Sequence, residues 1–193
     1  GVFTGWPTLL VASPHLGVWP TTLLMIPLLV LWMSVQHEVL HGHPTRSLRL
    51  NKLLGYAPFA VWYPYTLYRD THMQHHCDED LTVPGRDPES RYLSQLDWKQ
   101  TGTLMRVLRW LDKTPPGVPL ALSSLIVGET RRLLRGERQA WAMWSTHGGV
   151  LVLVFLFIEH YSAISAVHYV IFCSVPALAV SMVRSYYEHR PGE

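Results

Sequence analysis

Six of the eleven histidines gather at three places, and their spacing is that of metal ligands. The first place is Gln36-His37-Glu38-Val39-Leu40-His41-Gly42-His43. On a helix His37 and His41 stand four residues apart on one face, so two imidazoles can meet one metal. The second is Arg69-Asp70-Thr71-His72-Met73-Gln74-His75-His76, where His72 lies three and four residues before His75 and His76. Three imidazoles close to one face can serve a second metal, or share two. The third is Tyr186-Tyr187-Glu188-His189-Arg190. Imidazole suits iron, zinc, copper and nickel. His15, His147, His160 and His168 stand singly, and interfacial or hydrogen-bonded roles are expected for them. His43 is off the face shared by His37 and His41.

The elements that must position these groups are apolar. The 193 residues are 48% hydrophobic and 16% charged, against about 25% charged in an ordinary soluble domain. The charge is concentrated: 1–36, 139–158 and 160–183 contain no Asp, Glu, Lys or Arg, while 37–138 holds 14 of the 16 basic and 11 of the 14 acidic residues. A bilayer core takes about 20 apolar helical residues. Val18–Gln36, Gln139–Ile158 and His160–Val183 are such runs, the last two a tight hairpin turning at Glu159-His160. Pro27 inside the first is tolerated in membrane helices. Gly1–Ala12 is too short to span and reads as the tail of an earlier helix. Lys52–Tyr68 and Thr114–Gly128, rich in proline or aromatic residues, read as short or interfacial segments. Arg131, Arg132, Arg135 and Arg138 before the hairpin, with Arg184 and Arg190 after it, put its ends in the cytoplasm by the positive-inside rule. The histidine clusters then fall on the same side. The expected fold is all-α: one domain over 1–193, with integral membrane helices under a cytoplasmic cap that carries the histidine boxes.

Several classes fall away. A net charge of +2 with scattered basic residues gives no nucleic-acid footprint. Cys77 and Cys173 make no disulfide framework. No cleaved signal peptide is visible. The stretch from Cys77 to Trp98 reads as a solvated loop, with a docking face for an electron donor as the sharper option. His37-Glu38-x-x-His41 is also the zinc-peptidase spacing, with Glu38 as general base. The second histidine cluster argues against that reading, because a catalytic zinc needs only one further protein ligand. A non-catalytic membrane scaffold leaves the clustering unexplained.

At His37-Glu-Val-Leu-His41 and His72-Met-Gln-His75-His76 the sequence resembles the membrane fatty acid desaturase and hydroxylase superfamily. Tyr187-Glu188-His189 resembles the isolated histidine that follows the last helix in alkane hydroxylases. The resemblance covers about Val18 to Pro191. It implies two Fe ions held by His37, His41, His72, His75, His76 and His189, with O2 as co-substrate for cleaving an unactivated C–H bond. It implies an acyl-lipid or long-hydrocarbon substrate and electrons from ferredoxin, rubredoxin or cytochrome b5. Desaturation is the first expectation, hydroxylase or ketolase chemistry the second. Glu38, Asp70 and Glu188 are expected to orient imidazole N–H groups rather than bind metal. The family's further HxxHH box has no counterpart before Glu193. The chain is therefore expected to be incomplete at both ends, with an HxxHH box encoded beyond 193, and inactive by itself.

Overall fold

This computed structural model describes residues 1–77, 95–111 and 117–188, and within them every side chain outside 74–77, 109, 118–124 and 184–188. All regular elements among the described residues are helices. They are α1 (Val2–Leu16), α2 (Val18–Leu40), α3 (Leu48–Gly55), α4 (Tyr65–Cys77), α5 (Gln95–Gln100), α6 (Thr103–Leu111), α7 (Val118–Leu134), α8 (Arg138–Tyr161), α9 (Ala166–His168) and α10 (Val175–Glu188). A π-helical turn, Tyr169–Ser174, joins α9 to α10 without a break. Three helical stretches are long and apolar enough to cross a membrane: Val18–Leu40, Arg138–Tyr161 and Ala166–Val183. Each overlaps one of the three runs marked by the absence of charge.

The first 16 residues are helical, as α1, and fold back on α2. The reversal happens at Gly17, whose φ of +86° is a conformation that only glycine adopts without strain. The C-terminal hairpin turns later than expected. His160 lies inside the last turn of α8, which ends at Tyr161, and the turn comprises 162–165. Its capping groups explain the position. The Ser165 hydroxyl accepts from the His168 N–H at 3.1 Å, and the Glu159 carboxylate accepts from the Ala166 N–H at 2.8 Å. Both satisfy first-turn donors that have no helical partner. The Ala163 N–H donates to Ser13 Oγ at 2.7 Å, which ties this turn to the end of α1.

Helix α2 is central and packs against α1, α3, the π-helical turn and α10. Trp6 and Leu10 of α1, Met25, Leu29 and Trp32 of α2, and Tyr169 and Cys173 of the π turn form the buried centre. In lipid, burial from water does not drive helix association, so close packing and polar pairing must hold these helices together. Both are visible where the non-helical link between α3 and α4 meets the bundle. The Phe59 ring stacks on Trp6, with centroids 4.6 Å apart, and meets Trp32 edge-on at 5.1 Å. The neighbouring carbonyls accept from side chains of the apolar helices. Tyr169 Oη donates to Phe59 O at 2.6 Å, Ser174 Oγ to Ala60 O at 2.5 Å, and His147 Nε2 to Val61 O at 3.4 Å. Trp6 Nε1 donates to the Tyr169 oxygen at 2.8 Å, which completes a chain of three groups. His168, another of the single histidines, pairs through Nε2 with Thr22 Oγ1 at 2.8 Å.

Lys52–Tyr68 thus comprises the end of α3, a non-helical link and the start of α4. Thr114–Gly128 leads into α7, a 17-residue helix that reaches Leu134. In its last turn, Arg132 donates to Glu137 at 2.9 Å and to Glu129 at 2.8 Å. These hydrogen bonds push the guanidinium pKa further above its ordinary value. Glu129 also accepts from Trp144 Nε1 at 2.9 Å, which fastens α7 to α8.

Tyr169→Phe is expected to leave the Phe59 carbonyl and the Trp6 N–H without their partner. An unsatisfied buried group costs about 1–3 kcal/mol, so thermal unfolding in detergent, followed by circular dichroism, should show Tm lowered by several degrees.

Candidate metal centre

The C-terminal end of α2 carries the first two histidines. His37 lies in its last turn and is half-buried, while His41 is the C-cap residue and is exposed. Carbonyls without helical partners, and the negative end of the helix dipole, gather there, so the position favours a cation. The chain then turns through 42–47 into α3. That turn is built around Asn51, which is 2% exposed. Asn51 Nδ2 donates to Gly42 O at 2.8 Å and to Thr45 O at 2.9 Å. Its Oδ1 accepts from the Thr45 N–H at 3.1 Å and from the Thr45 hydroxyl at 2.6 Å. One buried amide therefore fixes the segment directly after His41.

Helix α4 supplies the third histidine. His72 is 2% exposed. Its Nε2 lies 3.4 Å from His41 Nε2, and its ring centroid is 4.6 Å from that of His37 and 5.4 Å from that of His41. One nitrogen from each of His37, His41 and His72 lies within 4.8 Å of the other two. A metal with bonds of about 2.0–2.1 Å to nitrogen sets tetrahedral ligands about 3.3 Å apart. The His41–His72 edge already has that length, and the wider edges need only small side-chain rotations to reach it. The donor set is three imidazoles from two helices, which a first-row transition metal accepts and a hard cation such as magnesium does not.

Two contacts hold α3 and α4 against α2. Gln36, buried beside His37, donates through Nε2 to Gly55 O at 3.0 Å. The Tyr65 ring lies directly on Gly55, so a Cβ there would fall inside van der Waals distance of three ring carbons. Burial pushes the Tyr65 phenol pKa upward, so the ring stays neutral. One helical turn further, Tyr68 Oη lies 3.4 Å from His37 Nδ1. Tyr68 and His72 are four apart on α4, so the same helix face carries a ligand candidate and a group that orients the opposite imidazole. Neither Tyr68, Gln36, Asn51 nor Gly55 was singled out from the sequence. Only Tyr68 had a readable signal, its spacing of four from His72.

The other expected site residues fall differently. His75 and His76 lie on the last turn of α4, and their side chains are outside the described ones. His189 lies outside the described residues. His43 is exposed in the turn after His41 and is not in the group. Of the carboxylates expected to orient imidazoles, Asp70 is paired with Arg69 at 2.6 Å in an exposed position. Glu38 is also exposed, and the Glu188 side chain is outside the described ones.

Gly55→Ala is expected to drive Tyr65 off α3 and to loosen α4 from α2. Its Tm should fall by several degrees, while Gly149→Ala, whose Cβ meets nothing within 4 Å, should not lower it. Parallel thermal melts in detergent make this comparison.

The comparisons with known proteins bear on the same residues. A family model described as fatty acid desaturase matches residues 13–193, which include both ends of the histidine arrangement. No curated protein and no solved structure matches the chain. With a match over nearly all of its length, with three helices able to cross a membrane and with three histidines converging at the end of one of them, the chain belongs to the fatty acid desaturase family.

Proposed function

We propose that this protein is an O2-dependent membrane oxidoreductase that removes hydrogen from unactivated C–H bonds of an acyl lipid or long hydrocarbon, with desaturation as its reaction. The observation that carries the proposal is the convergence of His37, His41 and His72, from positions 31 residues apart or more across α2 and α4, in a chain of this family. Two irons are assigned to His37, His41, His72, His75, His76 and His189. When bound, they supply the activation of O2 that C–H cleavage requires. The protein's own groups act around them. Neutral imidazoles present nitrogen donors, and the Tyr68 hydroxyl fixes the His37 ring. The α3–α4 link carries His72 up to α2 from among the apolar helices. Reducing equivalents come from a separate donor such as ferredoxin, rubredoxin or cytochrome b5. Arg131, Arg132, Arg135 and Arg138, around the junction of α7 and α8, support a cytoplasmic location for the site. Hydroxylation shares the same first step and is the alternative outcome for the product.

The test is metal content, with product analysis, on detergent-purified protein expressed from the whole reading frame. About two irons per chain and little zinc are expected, as in a two-metal oxidoreductase. His41→Ala and His72→Ala should each remove at least about half of the iron and abolish the change in lipid profile. His160→Ala, at the opposite end of α8, should do neither. One zinc with no iron would overturn the proposal and make Glu38 the general base of a membrane protease.

A further inference from the structure

Helices α5 and α6 contribute no residue to the group of His37, His41 and His72, and carry an apolar surface with no place in the chemistry above. In α6 (Thr103–Leu111), Leu104, Val107, Leu108 and Leu111 recur at helical spacing on one face, while Arg106 and register position 109 fall opposite. The apolar side chains are open. Leu104 is 75% exposed and Trp110 66%, with Met105 and Val107 each about half exposed. In α5, Leu96 is 70% exposed and Trp98 44%.

The two helices are fastened into one unit. Arg106 donates through Nε to Trp98 O at 3.2 Å, and through Nη2 to Trp98 O at 2.9 Å and Lys99 O at 3.1 Å. The guanidinium lies 5.3 Å from the Trp98 ring centroid. One side chain thus satisfies the end carbonyls of α5 and stacks on its tryptophan, which holds both apolar surfaces in a fixed relation.

An open apolar face of this kind needs an occupant. We infer that it is the surface of the bilayer that the chain's own apolar helices cross, with α5–α6 lying in the membrane plane. Three observations select lipid over a protein partner. The helix pair exposes two tryptophans, Trp98 and Trp110, whose amphipathic rings favour the headgroup level. The segment 95–111 has three basic side chains (Lys99, Arg106, Arg109) against one acidic (Asp97), which suits headgroup phosphates. The tether is short as well. From Leu111 to Val118 a fully extended chain reaches about 25 Å at most, and α7 packs on α8 and α10, two of the apolar helices. The helix pair therefore stays close to the bilayer.

Site-directed spin labelling in lipid nanodiscs tests this, on the full chain with Cys77→Ser and Cys173→Ala as background. Labels go on the apolar face at Leu104→Cys and Val107→Cys, and on the polar face at Arg109→Cys. Dissolved O2 reports lipid exposure, and a water-soluble nickel chelate reports aqueous exposure. The expected result is an O2-to-nickel accessibility ratio at 104 and 107 at least about threefold above that at 109, as for a helix lying in the interface. Equal ratios at all three positions would overturn the inference in favour of a solvated helix. Low accessibility to both reagents at 104 and 107 would overturn it in favour of a protein cover, either a second copy or another part of the chain. Neither result depends on whether metal is bound, so failure here leaves the metal assignment standing.

Discussion

The arrangement rests on one constraint, that backbone carbonyls set among apolar helices must find donors. The link between α3 and α4 is not helical, and its residues 59–61 lie against the interior of helices able to cross a membrane. Unpaired carbonyls there would cost several kcal/mol each, roughly. Tyr169, Ser174 and His147 supply the donors, one for each successive carbonyl. Val61 shows how tightly the segment is determined. It is β-branched and yet has φ of +63°, which costs about 1–3 kcal/mol and persists only where the surroundings impose it.

That constraint reaches the histidines through a short path. The pinned link leads straight into α4, where Tyr65 is wedged on Gly55 and Tyr68 meets His37. The distance from α2 to His72 is thus set by how deeply the link is drawn into the bundle, and only secondarily by contacts among the histidines. The same logic explains the single histidines. His147 and His168 lie within apolar helices, and each spends its ring nitrogen on a local polar group, a carbonyl in one case and a threonine hydroxyl in the other. These are packing and pairing roles, as expected for histidines without neighbours of their own kind.

Polar pairing also sets the boundaries that charge patterning left blurred. The expected turn at Glu159-His160 lay within a few residues of the real one, because a charged residue marks the neighbourhood of a helix end. Ser162, Ser165 and the Glu159 carboxylate decide the position itself by capping free N–H groups and carbonyls. At the other end of α8, Glu129 is almost fully buried and satisfied by Arg132 and Trp144. A run of four arginines had been legible there as a topology signal, but not as one half of an ion-paired clasp.

The sequence by itself determined the apolar runs, the helical class and two histidine pairs with ligand spacing, because these depend on local periodicity and on the absence of charge over a helix length. It marked His37 and His41 as neighbours, since i and i+4 on one helix meet whatever the rest of the chain does. Tertiary structure decided that His72 of α4 joins them, because that meeting depends on a buried link held by Tyr169, Ser174 and His147, residues more than 80 positions away in the chain. It also decided that α1 folds back on α2, and that Tyr68, Gln36 and Asn51 support the site. A tyrosine, a glutamine and an asparagine have many uses in a sequence. Only the partner that the fold brings to each one fixes which use it has.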